Sequence, residues 1–420
     1  MMANLANQGV VVLSQIAIVP LFISSWGLDG FGTWIVLTAI PTYVGLSDFG
    51  LSISAKSDMA IRAARGDLAG ARETLSSVLA LAAVSLTAFG TVYVIAIFGV
   101  NWTTVLSLHT IQESSAKLIL AFGLVQIIFY QAFLFSATII RAAGRPALES
   151  SLSALGRGGE VFTAAVVAAL GGSLLVAACA LACSRMVFSV VIWIIVARRY
   201  PELCPAARLV NWQRIKTLVA PSAAYAMMPI AQSIAVQGTT LAVSGFAGPA
   251  AAAAFNTTRV ITRLGIQLGN TVSNTFVPYY SYAIGHKSGV VQLFKEHFLI
   301  IIVTLIGYLA FISLFGKAFL GIVSKWQIPF DGVLFGVLAA AASAEVVFGA
   351  VVAIQSAANR VGLLAGAYAS LALMVAGASH VLGTQIGIEG VAWLILIANV
   401  AMLTVCGFQL GNSQSVLKTN

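Results

Sequence analysis

Charge is what this sequence has least of. Only 8% of its 420 residues are Asp, Glu, Lys or Arg, against about 25% in an average soluble domain, while 60% are hydrophobic. That composition cannot dress a water-soluble surface, which excludes an ordinary soluble globular domain. Cysteine is also scarce. Cys179, Cys183, Cys204 and Cys406 show neither a metal-site spacing nor a secreted disulfide framework, and Cys179 and Cys183, on one helix face, read as small buried hydrophobes. The four histidines, His109, His286, His297 and His380, fall in separate segments, so no metal or other cofactor is expected. Long polar connections are missing too: none exceeds about two dozen residues. A membrane polymerase or glycosyltransferase needs a catalytic loop, and no paired-carboxylate cluster occurs in these short ones, so the chain is not expected to be an enzyme.

What the sequence does have is apolar blocks of about 18 to 25 residues, each long enough to cross a hydrocarbon layer about 30 Å thick at about 1.5 Å per helical residue. Backbone polarity inside lipid requires these blocks to be helices. They predict spans at 4–25, 31–52, 76–99, 117–140, 150–171, 174–197, 216–244, 250–282, 298–315, 332–354, 362–381 and 390–411. The expectation is an all-α membrane protein of about twelve transmembrane helices in two six-helix lobes. The basic stretch from Ala197 to Lys216 is the longest polar break near the middle. It divides an amino-terminal lobe (1–200) from a carboxy-terminal lobe (215–420) through a cytoplasmic linker (201–214).

The net charge of +9 is explained by topology and not by nucleic acid. Loops after even-numbered spans, with the tail, hold fifteen Lys and Arg, including Lys56, Arg62, Arg198, Arg199, Lys287, Arg360 and Lys418; loops after odd-numbered spans hold three, Lys117, Lys317 and Lys325. By the positive-inside rule the even loops and both termini are cytoplasmic. Trp26, Trp102 and Trp326 at outer span ends, with Trp193 and Trp212 at inner ones, form an interfacial belt. The first block lacks a basic leader and a cleavage site, so it reads as a retained span and not as a signal peptide.

Five prolines lie inside spans: Pro20 and Pro41 in the first two, Pro221 and Pro229 in the seventh, Pro278 in the eighth. Proline frees a carbonyl that a neighbour or a wet cavity must satisfy. Interruptions at corresponding positions of two halves point to a transporter's binding site and to a parallel repeat, although packing kinks alone would also place them there.

Ionisable groups inside the spans are costly and so mark function or pairing. Asp48, Arg157, Glu160, Arg185 and Glu345 are candidates for gating or ion pairs, and Arg157 and Glu160, three apart, can satisfy one another. The eighth span is the most informative. Asn256, Arg259, Arg263, Gln267, Asn270 and Asn274 recur at spacings of three or four and share one face. Two arginines on that face without an acid in the span suit an anionic group such as a phosphate; the alternative is a salt bridge to Glu160, Glu345 or Asp48. Ser222, Tyr225 and Gln232 of the seventh span share a face near Pro229. Gln8 and Gln15 are weaker candidates, since lone amides often bridge helices. The candidate binding set is therefore Asn256, Arg259, Arg263, Gln267, Asn270, Asn274, Tyr225 and Gln232.

The stretch PLFISSWGLDGFGTWIVLTAIPTYVGLSDFGLSISAKSDMAIRAARGD, from Pro20 to Asp67, resembles the amino-terminal region of bacterial polysaccharide exporters of the O-antigen flippase type, in the MOP superfamily. The elements that carry the resemblance are WG at Trp26, FGTW at Phe31, LSDFGL around Asp48 and ARGD at Ala64. It implies a MOP/MATE-like fold whose helices 1, 2, 7 and 8 line a central cavity. It also implies a monomer in the bacterial inner membrane that moves a polyprenyl-diphosphate-linked oligosaccharide outward by alternating access, for lipopolysaccharide or a related polysaccharide, beside other polysaccharide assembly proteins. On that reading the diphosphate sits against Arg259 and Arg263, and the sugars meet the amides and hydroxyls of helices 7 and 8. Family members usually begin with a basic cytoplasmic segment, whereas this chain enters its first span almost at once, which suggests an incomplete amino terminus. The alternative is a cation-coupled multidrug or small-solute exporter of the same superfamily. Such exporters usually carry an acid in helix 1, and residues 3–25 contain none.

Overall fold

A computed structural model describes residues 2–286, 289–358 and 362–412, with side chains for all of these except 2–17, 220–221, 224–225, 278, 281–282, 285–286 and 411–412. The side chains of Gln8, Gln15, Pro221, Tyr225 and Pro278, and the residues Lys287, Arg360 and Lys418, therefore lie outside the described set. The described structure is all-α and multi-spanning, and it divides into two compact units, Met1–Ser233 and Ile234–Asn420.

The first unit begins with α1 (Met2–Gly45), whose helix is broken at Gly27 (φ 69°, ψ 178°), a conformation open essentially to glycine alone. The rings of Phe22 and Trp34 lie 5.9 Å apart, whereas twelve residues of straight helix would separate them by about 18 Å. The chain therefore folds back on itself at Gly27, and its two arms are the first two predicted spans. The second arm ends at Gly45, short of the predicted 52. A 3-10 turn, Leu46–Asp48, and left-handed Phe49 and Gly50 lead into α2 (Leu51–Ala64). The segment SAKSDMAIRAA, read from sequence as cytoplasmic loop, is thus helical: Leu51, Ala55 and Met59 are buried, and Arg62 pairs with Asp58 one turn back at 2.8 Å.

Next come α3 (Leu68–Gly99), a short α4 (Trp102–Val105), α5 (Glu113–Ala142), α6 (Pro146–Ala169), α7 (Leu174–Arg199) and α8 (Trp212–Ser233). Their starts are chemically marked. Asp67 accepts from the Gly70 amide at 2.8 Å, Ser173 from the Val176 amide at 3.4 Å, and Pro146 occupies the first turn of α6, where its missing N–H costs nothing. The buried core joins α2, α3, α5 and α7 through Leu75, Val78, Phe133, Ile139 and Val196. On the outside, Val92, Ile95, Phe98 and Leu155 are exposed, as a lipid-facing surface requires.

In the second unit a π-helical turn, Ile234–Gly238, precedes α9 (Thr239–Ala247), α10 (Pro249–Thr262), α11 (Leu264–His286), α12 (Val290–Val323), α13 (Gly332–Ala357) and α14 (Gly362–Asn412). The predicted single span 250–282 is interrupted at Arg263, between α10 and α11. The freed carbonyl of Thr262 accepts a short hydrogen bond from the Tyr308 hydroxyl of α12, which makes the break tolerable inside a membrane. The predicted 298–315 extends to the full length of α12 because its polar first turns, with Lys295, Glu296 and His297, are helical too. Helix α14 is broken at Gly387 (φ 67°, ψ −174°), much as α1 is at Gly27, and Gly248 between α9 and α10 has φ 86° and ψ 171°.

Seven helices among the described residues are long and apolar enough to cross a membrane. Helices α6, α8, α10 and α11 are not among these, and α6, α10 and α11 carry most of the candidate site residues.

Candidate functional site

The first unit encloses a cavity of about 400 Å³ between the second arm of α1 and helices α5, α6 and α7. Most of its wall is apolar, from Ile18, Trp34, Leu37, Pro41, Ile119 and Leu181. Three charged side chains predicted from sequence meet there: Arg157 and Glu160 from α6, and Arg185 from α7. Gly156 brings the two helices close, since a Cβ at that position would stand 3.0 Å from Nη1 of Arg185 and 2.9 Å from the ring of Phe188.

Arg157 and Glu160 do not satisfy one another, as their spacing suggested they could. Glu160 is taken by Arg185 in a two-pronged pair, Nε to Oε1 at 2.6 Å and Nη2 to Oε2 at 2.6 Å. Gln126 of α5 adds a third donor, Nε2 to Oε1 at 2.9 Å. The Arg185 side chain is only 2% exposed and stacks near Tyr130 and Phe188, 5.2 Å and 5.8 Å from their ring centres. The Arg157 guanidinium lines the cavity and makes no ion pair or hydrogen bond among the described residues. With two guanidinium groups for one carboxylate, the cavity carries one net positive charge. Sequence reading did not single out Gln126, Tyr130, Trp34 or Thr38, which complete the wall. Gln126 and Tyr130, polar groups four apart in the largely apolar run LAFGLVQIIFYQAF, which also holds Gln131, were the available signal.

Asp48 lies apart from this group. Its carboxylate accepts from the Ser52 amide at 3.2 Å and 3.3 Å and from the Ser52 hydroxyl at 2.7 Å, which caps the start of α2 at the bend. On α8, Ser222 is buried and Gln232 exposed.

In the second unit the polar face of the predicted eighth span is divided by depth. Arg259 is 4% exposed and binds only neutral groups: Thr239 Oγ1 at 2.7 Å, Thr240 Oγ1 at 2.6 Å and Asn256 Oδ1 at 2.8 Å, with the Phe255 ring 5.1 Å away. Those two hydroxyls donate in turn to the carbonyls of Ala235 and Val236, at 2.7 Å and 2.8 Å. Arg259 therefore fastens the π-helical turn, whose backbone geometry leaves carbonyls to be satisfied in this way. Arg263 pairs with Glu345 of α13 at 3.1 Å. Gln267 is half-buried, while Asn270 and Asn274 are exposed on a helix packed against α12 and α13.

No family model matches the sequence, and no curated protein matches it. Solved structures do. A multidrug resistance MATE family transporter of the MOP superfamily, in an inward-facing conformation, aligns over 100% of this chain and 99% of its own, with a TM-score of 0.73 and 16% identity. The fold is MATE-like. An outward-facing structure of such a transporter covers 99% of this chain and 95% of its own at TM-score 0.60 and 20% identity. A MOP superfamily transporter from Pyrococcus furiosus, described as having a binding pocket of reverse polarity, covers 99% and 96% at 0.58 and 19%. The all-helical fold shared with these structures, with seven helices among the described residues long and apolar enough to cross a membrane, is that of a multi-spanning protein.

These likenesses correct the flippase reading and all that came with it, the lipid-linked oligosaccharide, the O-antigen and lipopolysaccharide roles and the polysaccharide assembly partners. The reason is visible in the structure. Trp26, Phe31 and Trp34 surround Phe22 at the reversal in α1, and Asp48 caps α2. The residues that carried the resemblance build the fold, and they do not report what it carries.

Proposed function

We propose that this protein exports small solutes across the membrane by alternating access, in the manner of the MATE-type transporters it resembles. The observation that carries the reading is the charged, solute-sized cavity of the first unit, set in a fold that aligns end to end with inward-facing and outward-facing transporters alike. A cavity of about 400 Å³ lies within the roughly 300–1,000 Å³ typical of small-molecule sites.

The finer architecture belongs to the same proposal: twelve spans, six in 1–200 and six in 215–420, joined by the linker 201–214. The exposed amides of Asn270 and Asn274, with half-buried Gln267, are a second solute-facing surface, because a lipid-facing helix does not carry such a row. The Arg263 and Glu345 pair is the gating candidate in that unit. Coupling to a cation gradient must use a carboxylate outside residues 3–25, and Glu345 and Asp48 keep acceptor capacity for that role.

The test is transport by the purified full-length protein in liposomes, with a panel of cationic, neutral and anionic aromatic solutes and an imposed proton or sodium gradient. Gradient-dependent movement of at least one solute above protein-free liposomes is expected. Movement of none overturns the proposal.

A further inference from the structure

We infer that the cavity of the first unit binds a soluble organic monoanion with an aromatic or branched apolar body, and that Arg157 is its counter-ion. This rests on the exporter reading above and names its substrate class.

The argument is one of charge accounting. Glu160 is the cavity's carboxylate, and both of its oxygens are already engaged by Arg185 and Gln126. Those three donors leave about one open lone-pair site on Glu160, but its charge is already neutralised by Arg185, and a cationic solute could claim that charge in full only by displacing Arg185, whose side chain is 2% exposed. That would strand a buried guanidinium without a carboxylate, the costly way to break such a pair. The same solute would also face the positive charge of Arg157. An anion meets no such obstacle. Arg157 is half-buried in the wall, has no partner among the described residues, and presents the planar donor fork that grips carboxylates and sulfonates.

Size and lining fix the remainder. One uncompensated positive charge suits one negative charge, since a dianion would bring a surplus charge into a low-dielectric site. Trp34, Pro41, Leu37 and Ile119 give an apolar wall for a ring or branched alkyl body. Besides Gln126, which is committed to Glu160, the wall offers the hydroxyls of Tyr130, Thr38 and Thr42; both threonines spend their protons on backbone carbonyls, Thr38 on Trp34 at 2.7 Å and Thr42 on Ala39 at 2.5 Å.

The test uses a size-matched pair of probes, 1-naphthalenesulfonate and 1-naphthylmethylammonium, titrated calorimetrically into the detergent-solubilised full-length chain. The sulfonate is expected to bind at least about tenfold more tightly than the ammonium. Arg157→Gln should weaken the sulfonate about tenfold or more, and Arg157→Lys should retain most of its affinity. Equal or tighter binding of the ammonium by the unaltered protein overturns the inference, and so does sulfonate binding indifferent to Arg157→Gln. The wild-type ordering decides the matter even if the variants do not fold. Liposome transport separates this inference from the exporter reading. Movement of the ammonium without sulfonate binding removes the anion and keeps the exporter. Sulfonate binding, with none of the solute panel moved, keeps the anion and removes the exporter.

Discussion

Replacing Glu160 by leucine leaves the Arg185 guanidinium charged and buried, 2% exposed, with Tyr130 and Phe188 as its remaining neighbours. Breaking one side of a buried pair costs about 3–5 kcal/mol. Glu160 itself is 18% exposed, so water at the cavity offsets part of that, while the two ring contacts are present in both proteins and cancel; the net loss is about 3 kcal/mol. Replacing both partners, Glu160→Leu with Arg185→Met, removes the stranded charge along with its carboxylate and should recover stability to within about 1 kcal/mol of the wild type. Reversible unfolding in mixed micelles, followed by circular dichroism, measures all three proteins. A single variant that loses less than about 1 kcal/mol, or a double variant no more stable than the single one, refutes the claim that Glu160 is committed to Arg185. The charge argument for the cavity would fall with it.

Arg259→Met should lower stability by about 1–3 kcal/mol, because Asn256 Oδ1 loses its donor inside the fold. It should leave sulfonate binding in the first unit unchanged; a binding defect equal to that of Arg157→Gln would contradict the division of labour between the two arginines. Tyr308→Phe deprives the Thr262 carbonyl of its hydroxyl partner and should cost about 1–3 kcal/mol, seen as faster amide exchange around Arg263; unchanged exchange there would show that the break needs no support from α12. Asp67 lies outside the membrane, and the Gly70 amide and then the Arg62 guanidinium hold its carboxyl below the usual carboxylate range. Its contribution to stability is therefore full above the ordinary carboxylate value of about 4 and is lost as the pH falls through the depressed folded value. Melting curves of the wild type and Asp67→Asn should run parallel from about pH 7 to about pH 5 and converge only in stronger acid; a gap that changes across neutral pH would count against this cap.

The spanning helices were legible in the sequence because lipid permits few alternatives: a long apolar run must be helical. Their ends were less so. Residues 51–64 hide a helix because Lys56, Asp58 and Arg62 read as loop, although Leu51, Ala55 and Met59 keep a buried face. The break at Arg263 has no proline beside it, only Gly265 two residues on, where a Cβ would stand 2.9 Å from the Tyr308 ring; it depends on that tyrosine, 46 residues away from Thr262 in the chain. Of the pairings the sequence offered, Arg263 makes the alternative salt bridge to Glu345, but Arg157 and Glu160 do not pair. Local spacing put Arg157 beside Glu160, whereas packing gave Glu160 to Arg185 on the next helix. Helical periodicity says which residues share a face and nothing about how deep that face lies, which is why Arg259 and Asn274, on one predicted stripe, end up buried and exposed respectively. The amino-terminal resemblance misled for a related reason, since conformation-setting residues are common property of a fold while cargo is chosen by a few side chains elsewhere.

The glycine reversal in α1 has a mechanical corollary. With Gly27 confined to a backbone state that other residues avoid, and with Phe22, Trp26 and Trp34 clasped across the turn, the first pair of arms behaves as a stiff fork. Two other irregular steps are held as well, the bend at Phe49 and Gly50 by Asp48 and the π-helical turn by Arg259 through Thr239 and Thr240. A pair of spin labels spanning Gly27 should therefore keep a fixed separation under every condition in which the protein stays folded.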